Sequence, residues 1–386
     1  MKSNNIQKKF LFISRKSSHY RYYQKLVAFI GGSAELHQLK LISLPHIAYW
    51  KHLEKLNFDE LVDVHVRRKI VRHPWLVTFK PLLSVVKSSY ILLEKLRASY
   101  YFKLFLNGEY DTVILWNGMK QPNKTPYQVA KVCGKKTMLF ENGLLPNTTV
   151  LDAKGVNALN SVPREPHFYR DINIDDSEIT KKLVVRQPHK NRKLDEQNVV
   201  LPESFIFVPF QVPNDTQIVC HSPWIDSMEA FHQVLEQALI ELDSKPDLCF
   251  VIKEHPSWPR SFKHLHDKNP RIIFANNMNT QDLVERSTAV VTINSTVGIE
   301  ALLLNKKVIT LGNTFFNVEG LVWHADNQQE FTKLLANIDD VIVDETFVRQ
   351  FLTYLNSEYL IPDAWQDVNA SSFAHLNEVK RRLETF

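Results

Sequence analysis

The stretch that decides the fold is AVVTINSTVGIEALLLNKKVITL, residues 289–311. It begins and ends with short β-type runs, Ala289–Ile293 and Lys307–Leu311, and a helical stretch, Val297–Leu304, lies between them. Two strands joined through a helix are typical of a parallel sheet, because the helix carries the chain back to the edge at which the first strand began. The stretch therefore predicts an α/β fold.

The same alternation extends outward from this stretch through most of the chain. The region from about Asp171 to Glu203 is the poorest in regular patterning and is rich in Lys, Asp, Asn and Pro, which is typical of a linker. We therefore predict two open α/β domains, residues 1–190 and residues 191–386. Further candidate strands are Lys9–Ser14, Gln38–Leu44, Thr112–Trp116, Lys136–Glu141, Phe205–Pro209, Leu248–Lys253 and Arg271–Phe274. Further candidate helices are Arg21–Phe29, about Leu82–Leu106, Pro126–Val132, Ser227–Leu242, Thr280–Glu285, Gln328–Leu335, Glu345–Leu355 and Ser371–Leu383.

Composition excludes several classes of protein. Of the 386 residues, 44% are hydrophobic and 23% are charged, which argues against a disordered, collagenous or coiled-coil chain. The ten glycines form no G-x-G-x-x-G and no P-loop motif, and the three cysteines are too few and too scattered for a disulfide framework or a cysteine metal site. The most apolar helical stretch, Leu82–Leu106, contains five charged residues, so we expect no membrane span.

Charge and the N-terminal region suggest where the protein works. The N-terminal apolar run is too short for a secretory signal, so we expect a cytoplasmic protein. The net charge is only +5 and no nucleic-acid motif occurs, so we expect no nucleic-acid partner. Basic and aromatic residues are mixed in His19–Lys25 and Lys95–Lys103, which suits peripheral contact with anionic lipid at the inner membrane. The alternative is the exposed face of an amphipathic helix.

Four polar clusters follow candidate strands, and ligands of open α/β sheets bind at the carboxyl ends of strands. The first is FENGLLP, residues 140–146, in which Glu141 is placed for acid or base chemistry. A helix cap or a surface ion pair would explain the same carboxylate. Asn142 beside it, and Asn117 after the strand Thr112–Trp116, are candidate contacts to a sugar or an acceptor.

The second cluster is PFQVPND, residues 209–215. Its two prolines stiffen a short loop and would fix the directions of Gln211 and Asp215. Asp215 suits a nucleophile, because a carboxylate with an ordinary pKa needs no activating base at pH 7. An Asx turn is the equally weighted alternative.

The third cluster is IKEHP, residues 252–256. Lys253 and His255 lie two positions apart, so they point to one side while the backbone stays extended, and together they would clamp a phosphate. A purely structural histidine is the alternative.

The fourth cluster is NSTVGIE, residues 294–300, within the opening stretch. Hydroxyl residues that open a helix can bind an anion, so Ser295 and Thr296 are candidate phosphate ligands. Glu300, one turn later, would accept from ribose hydroxyls. An ordinary helix cap explains the same pattern.

Taken in order, the stretches FENGLLPNTTVLDAKGVN, VPFQVPNDTQI, IKEHP and TINSTVGIEALLLNKKVITLGNTFFNVEGL resemble the capsule polysaccharide synthesis family. Members of that family include retaining β-Kdo glycosyltransferases, where Kdo is 3-deoxy-D-manno-oct-2-ulosonic acid. The resemblance runs from about Asp111 to Leu321. The His-Pro pair and the later Ser-Thr pair are also similar to phosphate-binding motifs of bacterial sialyltransferases, which implies CMP as the sugar carrier.

The resemblance implies a GT-B fold, with two Rossmann-like domains facing across a central cleft and CMP-β-Kdo bound to the C-terminal one as donor substrate. It also implies that the last helix packs back on the N-terminal domain. It implies that Asp215 attacks the anomeric carbon and that Glu141 activates the acceptor, a surface-polysaccharide or lipid-linked glycan, without a metal ion or another cofactor. The donor-binding residues that it implies are Gln211, Lys253, His255, Ser295, Thr296 and Glu300.

Two alternatives remain at this point. One keeps the fold and changes the chemistry: a sialyltransferase-like or other nucleotide-sugar transferase in which Asp215 is a base and the configuration inverts. The other is a catalytically silent glycan- or nucleotide-binding subunit of capsule assembly.

Overall fold

Two parallel-rich sheets organise the chain. The computed structural model describes residues 8–39, 46–175, 179, 182–183, 189 and 199–386. The strands are β1 (Phe10–Ser14), β2 (Ala34–Gln38), β3 (Thr112–Trp116), β4 (Lys136–Asn142), β5 (Thr148–Asp152), β6 (Ile206–Pro209), β7 (Phe250–Lys253), β8 (Ile272–Phe274), β9 (Ala289–Thr292), β10 (Lys307–Thr310), β11 (Trp323–His324) and β12 (Ile361–Pro362). The α-helices are α1 (Ser17–Ile30), α2 (Phe58–Arg72), α3 (Trp75–Thr78), α4 (Lys80–Asn107), α5 (Lys124–Val132), α6 (Thr216–His221), α7 (Met228–Glu241), α8 (Thr280–Arg286), α9 (Val297–Leu303), α10 (Gln328–Ala336), α11 (Glu345–Tyr354) and α12 (Phe373–Thr385).

The chain divides into two compact units. The first unit comprises Met1–Ser161 and Leu360–Phe386, and the second unit comprises Val162–Tyr359. This division differs from the predicted boundary at residue 190, because the segment after Ser161 packs on α11. There the Tyr169 ring is buried against Phe351, at 5.2 Å between ring centroids, and Gln350 Nε2 donates to the carbonyl of Arg170 at 2.6 Å.

The first unit has the strand order β12-β5-β4-β3-β1-β2, in which β1 to β4 are parallel and β5 and β12 are antiparallel additions at one edge. Successive residues of β1 point to opposite faces. Phe10 and Phe12 join a core with α1 and α12, whereas Leu11 and Ile13 join a second core with α4 and α5. The apolar run of β1 therefore fits a strand that is covered on both faces.

The second unit has the strand order β11-β10-β9-β6-β7-β8, and all of its pairings are parallel. Numbered from β6, this is the order 3-2-1-4-5-6 of doubly wound nucleotide-binding sheets. The prediction of an α/β fold of the GT-B type, with two Rossmann-like domains, is confirmed: each of the two units contains one such sheet.

One local prediction lies largely outside the described part of the chain. The described strand is Ala34–Gln38, whereas the predicted strand Gln38–Leu44 falls mainly on residues 40–45, which are not described. Most aromatic residues of the two basic stretches are in the core: Tyr22, Tyr23, Tyr101 and Phe102 are at most 2% exposed, whereas Tyr20 and Tyr100 are half-buried. Contact of these stretches with lipid stays a prediction. Among the described residues, no helix combines the length and the hydropathy needed to cross a bilayer.

The position of α12 in the core of the first unit gives a stability prediction. Leu383 is fully buried in that core, whereas Phe373 in the same helix is 60% exposed. We expect Leu383→Ala to lower the free energy of unfolding by about 2–5 kcal/mol, because it removes buried methyl groups and leaves a cavity. Phe373→Ala is the matched control and should change it by no more than about 0.5 kcal/mol. Urea unfolding followed by circular dichroism measures both; equal effects would contradict this packing.

Candidate active site

The second unit holds a polar pair where two strands separate. The ladder between β6 and β9 joins Ile206 to Ala289 and Phe207 to Val290 and ends there. Beyond the end of this ladder, Gln211 and Asn294 span the gap. Gln211 Nε2 donates to Asn294 Oδ1 at 2.9 Å, and the backbone N–H of Asn294 donates to Gln211 Oε1 at 3.2 Å. This is the point at which the strand order reverses, where ligands of such sheets bind.

Asn294 also hydrogen-bonds to α6, the helix that Asp215 caps. Its Nδ2 donates to the carbonyls of Gln217 at 2.9 Å and His221 at 3.1 Å, near the two ends of α6. Asp215 precedes α6, and its Oδ1 accepts from the Gln217 amide at 3.0 Å, so the carboxylate caps the helix. The helix cap is thus the role that the structure shows for Asp215; its part in chemistry stays a prediction. Burial lowers the pKa of His221, and the charge of Asp215 opposes that shift.

The IKEHP cluster follows β7, the neighbour of β6. Lys253 is the last residue of the strand, and its Nζ donates to the Met278 carbonyl. The strand ends at Lys253, before His255, so the placement of these two side chains on one side stays a prediction. His255 Nδ1 accepts from the Ser257 amide at 3.2 Å, so the neutral ring carries its hydrogen on Nε2, the nitrogen that would donate to a phosphate oxygen.

Glu254, between these two residues, is a structural carboxylate. It is 1% exposed and its Oε1 accepts from the Phe262 amide at 3.1 Å. His266 Nε2 lies 3.1 Å from the same oxygen, and the Asn276 side chain accepts from the Glu254 amide at 2.9 Å. These contacts hold the loop that carries Lys253 and His255.

The NSTVGIE cluster lies at the end of β9, as predicted. The Ser295 amide donates to Thr292 Oγ1 at 3.1 Å, and Ser295 Oγ accepts from the Val297 amide at 3.2 Å. Thr296 precedes α9, and Glu300 lies in its first turn. Ser295 therefore caps α9 in part, and its hydroxyl can still donate to a ligand.

The first unit contains an open pocket of about 730 Å³, also at a gap between strands. The ladder between β1 and β3 ends at Phe12 and Ile114, two residues before either strand ends. A crevice between such strands is the expected ligand site of an open sheet. The pocket is lined by Arg15, Lys16, His19, Trp116, Asn117, Lys120, Gln121, Pro122, Asn123, Glu141, Asn142, Trp365 and Gln366.

A network of amides positions Glu141 in this pocket. Asn117 has a left-handed backbone (φ 66°), and its Nδ2 donates to Glu141 Oε2, while the Asn142 amide donates to Glu141 Oε1 at 3.0 Å. Asn142 Oδ1 in turn accepts from Trp365 Nε1 at 2.9 Å. A left-handed backbone at a residue other than glycine is held by its surroundings and is common at functional sites.

The tight turn after β4 depends on Gly143. A Cβ at this position would lie 2.1 Å from Thr148 Oγ1 and 2.2 Å from the Thr148 carbonyl oxygen. No side chain fits in that space, so glycine allows the chain to reverse directly after Glu141 and Asn142. Both side chains therefore remain at the end of the strand, in the pocket wall.

Aromatic rings form the inner wall, and basic side chains form the rim. His19 stacks on Trp116 at 3.8 Å between ring centroids and meets Trp365 edge-on at 4.8 Å. Arg15 and Lys16 at the rim are exposed. Burial first, and then the charge of Lys16, lowers the pKa of His19 to about 4, so its ring is neutral at pH 7.

Three predicted residues, Asn117, Glu141 and Asn142, come together in the pocket. Gln211, Asp215 and Ser295 come together around Asn294 in the second unit, and Lys253, His255, Thr296 and Glu300 follow the neighbouring strand ends. Sequence reasoning missed Asn294, the link between Gln211 and α6, although it is the first residue after the predicted strand. It also missed the rim and the rings of the pocket, namely Arg15, Lys16, His19, Trp116, Lys120 and Trp365.

Metal binding has no clear candidate in the part of the chain that the structure describes. No group of three or more His, Cys, Asp or Glu side chains there is arranged to hold a metal ion.

The lowered pKa of His19 gives a pH prediction. The unfolded chain binds a proton at His19 near pH 6.5 and the folded one only near pH 4, so stability falls as the pH falls between these values. His19→Phe keeps a ring against Trp116 but removes the titration. We expect the loss of stability between pH 7 and pH 4 to be smaller in this variant by up to about 3 kcal/mol. Urea unfolding at both pH values measures it; equal losses in the two proteins would contradict the buried neutral ring.

Comparisons with known proteins agree with the resemblance. Residues 177–356 match the model of the family described as capsule polysaccharide biosynthesis protein. Protein FixF of Sinorhizobium fredii (strain NBRC 101917 / NGR234) is 36% identical over 321 residues, which are 81% of this chain and 76% of FixF. The capsule polysaccharide export protein KpsS of Escherichia coli is 25% identical over 281 residues, 57% of this chain and 72% of KpsS.

Among solved structures, KpsC of Thermosulfurimonas dismutans, described as a β-Kdo 2,7 transferase, superposes over 97% of this chain and 100% of its own. The TM-score is 0.49 and the sequence identity 12%. The family match and the extensive similarity to FixF show that the chain belongs to the capsule polysaccharide biosynthesis protein family.

Proposed function

We propose that the protein is a retaining β-Kdo glycosyltransferase that moves Kdo from CMP-β-Kdo to a surface-polysaccharide or lipid-linked glycan. Family membership supports a role in capsule polysaccharide biosynthesis. The observation that best supports a transferase reaction is the pocket of the first unit, in which the Asn117 side chain and the Asn142 backbone N–H orient Glu141 beneath a basic rim. A carboxylate positioned in this way suits the removal of a proton from a sugar hydroxyl.

The donor is proposed to bind the second unit at the carboxyl ends of β6, β7 and β9. Its phosphate would contact Lys253, His255 Nε2 and the hydroxyls of Ser295 and Thr296. Glu300 would accept from the ribose hydroxyls. Both side-chain amide atoms of Gln211 are hydrogen-bonded to Asn294, so Gln211 would keep the loop between β6 and α6 in place beside the sugar.

The reaction would proceed in two displacements. A carboxylate oxygen of Asp215 attacks the anomeric carbon of Kdo, the bond from that carbon to the phosphate oxygen breaks, and CMP leaves with the electron pair. Glu141 then takes the proton of the acceptor hydroxyl, whose oxygen attacks the same carbon and displaces Asp215. Two inversions retain the configuration, as in retaining glycosidases. No step would require a metal ion, since CMP leaves as a phosphate monoester anion that Lys253 and the N–H of His255 Nε2 would stabilise.

The acceptor is proposed to enter the pocket of the first unit. Arg15, Lys16 and Lys120 at its rim suit a negatively charged glycan end. The Trp116 and Trp365 side chains supply an apolar wall of the kind against which sugar rings pack. Asn117 and Asn142 already bind Glu141 and Trp365, so their main part would be to orient these groups and not to contact the sugar.

Nucleotide binding tests the donor site. We expect CMP, in preference to UDP, GDP, ADP or dTDP, to raise the melting temperature, because a ligand at about 100 times its Kd stabilises by about 2.7 kcal/mol. His255→Ala should lose most of this shift, whereas His264→Ala, at an exposed histidine of the same unit, should keep it. A shift produced only by nucleoside diphosphates would exclude the CMP-sugar proposal and favour another nucleotide-sugar enzyme.

Two carboxylate variants test the chemistry. Asp215→Asn keeps a capping side chain but removes the nucleophile, so we expect transfer to fall by about 10³-fold or more. Glu141→Gln should lower transfer by about 10²–10⁴-fold while release of CMP from the donor alone persists. Rates of CMP release with and without acceptor, and the anomeric configuration of the product, provide the measurements.

The controls are Asp226→Asn and Glu54→Gln, both at exposed carboxylates of the same units. Near-normal transfer by Asp215→Asn would exclude the covalent route, and an inverted product would favour the sialyltransferase-like reaction. A purified protein that never releases CMP from the donor would instead favour a non-catalytic role in capsule assembly.

A further inference from the structure

A helical hairpin of the first unit ends in exposed apolar side chains. Helix α4 is 28 residues long, and its second half packs in the core through residues such as Ala98 and Phe102. In its first half, none of residues 80–93 is buried. We define the hairpin tip as residues 72–85, which join α2 to α4 through α3. Its exposed large apolar residues are Trp75 (51%), Val77 (50%), Phe79 (57%), Leu82 (42%) and Val85 (60%).

The arrangement of these side chains is not that of a core. In α3 only Leu76 turns inward, at 6% exposed, while its neighbours on both sides face solvent. The rings of Trp75 and Phe79 meet edge to face at 6.3 Å, so they form one apolar surface at the end of the hairpin. Adjoining exposed apolar side chains of this size are uncommon on a free protein surface and mark a contact site.

The charges around the hairpin tip have one sign. Residues 64–93 contain six Lys or Arg residues and no Asp or Glu. Two of the six are paired with carboxylates near the start of α2, Arg67 with Asp63 at 2.8 Å and Lys87 with Asp59 at 2.6 Å. Lys69 and Lys80 flank Trp75, Val77 and Phe79 along the chain, and Lys80 separates them from Leu82 and Val85, so basic residues accompany the apolar ones.

We propose that the hairpin tip docks on a membrane surface that contains anionic lipid. Trp75 and Phe79 would lie at the level of the headgroups, where indole and phenyl rings are favoured, and Lys69 and Lys80 would face the lipid phosphates. Charge complementarity favours this occupant over a second copy of the chain, because two identical tips would bring like charges together. The inference does not depend on the sugar donor or on the chemistry proposed above.

Vesicle cosedimentation tests the proposal with the full chain. We expect binding to vesicles of two parts phosphatidylcholine and one part phosphatidylglycerol, and little binding to phosphatidylcholine alone. Trp75→Ser combined with Phe79→Ser should weaken the binding by about tenfold or more, since the inserted rings are lost. Lys69→Glu combined with Lys80→Glu should remove the preference for phosphatidylglycerol.

Matched controls use exposed residues of the second unit. Ile240→Ser with Ile342→Ser, and Lys268→Glu with Lys333→Glu, should leave binding unchanged. Circular dichroism and the melting temperature show that each variant is folded. Brominated lipid should quench the indole fluorescence of the wild type, and Trp75→Phe should lose most of this quenching while it still binds.

Three outcomes would overturn the proposal. One is a wild-type protein that binds neither kind of vesicle, and another is binding that the tip variants leave unchanged. The third is a dimer in size-exclusion chromatography with light scattering that Trp75→Ser with Phe79→Ser dissociates, which would assign the hairpin tip to a second copy of the chain.

Discussion

The second unit depends on one pair of buried amides, Gln211 and Asn294. Parallel strands that turn away from each other at a reversal of strand order leave backbone groups and space between them, and a polar gap inside a protein must be filled with matched donors and acceptors. The Gln211 side chain does this with two hydrogen bonds to Asn294: it donates to the Asn294 side-chain oxygen and accepts from the Asn294 backbone N–H. Because Asn294 also binds carbonyls near both ends of α6, the same pair fixes the helix that Asp215 caps.

The first unit treats the corresponding gap differently. No amide pair bridges the ends of β1 and β3 among the described residues, and the space remains open as the pocket. Its walls come from four places in the chain: the start of α1, the end of β3 with the loop after it, the end of β4, and the segment that follows β12. The side chains in its wall are therefore oriented by hydrogen bonds to their neighbours: Asn117 orients Glu141, and Asn142 orients Trp365.

Local patterning predicted the sheets well because most strands are continuous apolar runs between clear turns. The prediction for β3 agrees with the structure at both ends, and the β9-α9-β10 succession appears as expected. Helix α2 was missed, since its alternating valines and charged residues lack a clear helical period and its buried face depends on packing against α4. Helix α6 was missed because six residues after a proline-rich loop give too weak a signal.

The candidate site could be predicted only where strand ends carry recognisable clusters. Glu141 and Asn142 end β4 and Asp215 follows β6, and they were found in that way. Arg15 and Trp116 lie about a hundred residues apart, and only the strand order brings them to one pocket. Trp365 lines the same pocket although it follows the whole second unit in the sequence. No local sequence pattern predicts that placement.

The way in which the first unit is completed has a consequence for biosynthesis. Strand β12 extends the sheet beside β5, and Leu376, Val379 and Leu383 of α12 cover the face formed by Phe12, Ile114 and Phe140. A ribosome makes the whole second unit before it makes these elements. The nascent first unit therefore has one apolar face that only α1 covers during the time needed to translate about two hundred residues. During that interval the face is a natural binding site for chaperones, and the order of synthesis makes the second unit the first that can fold to completion.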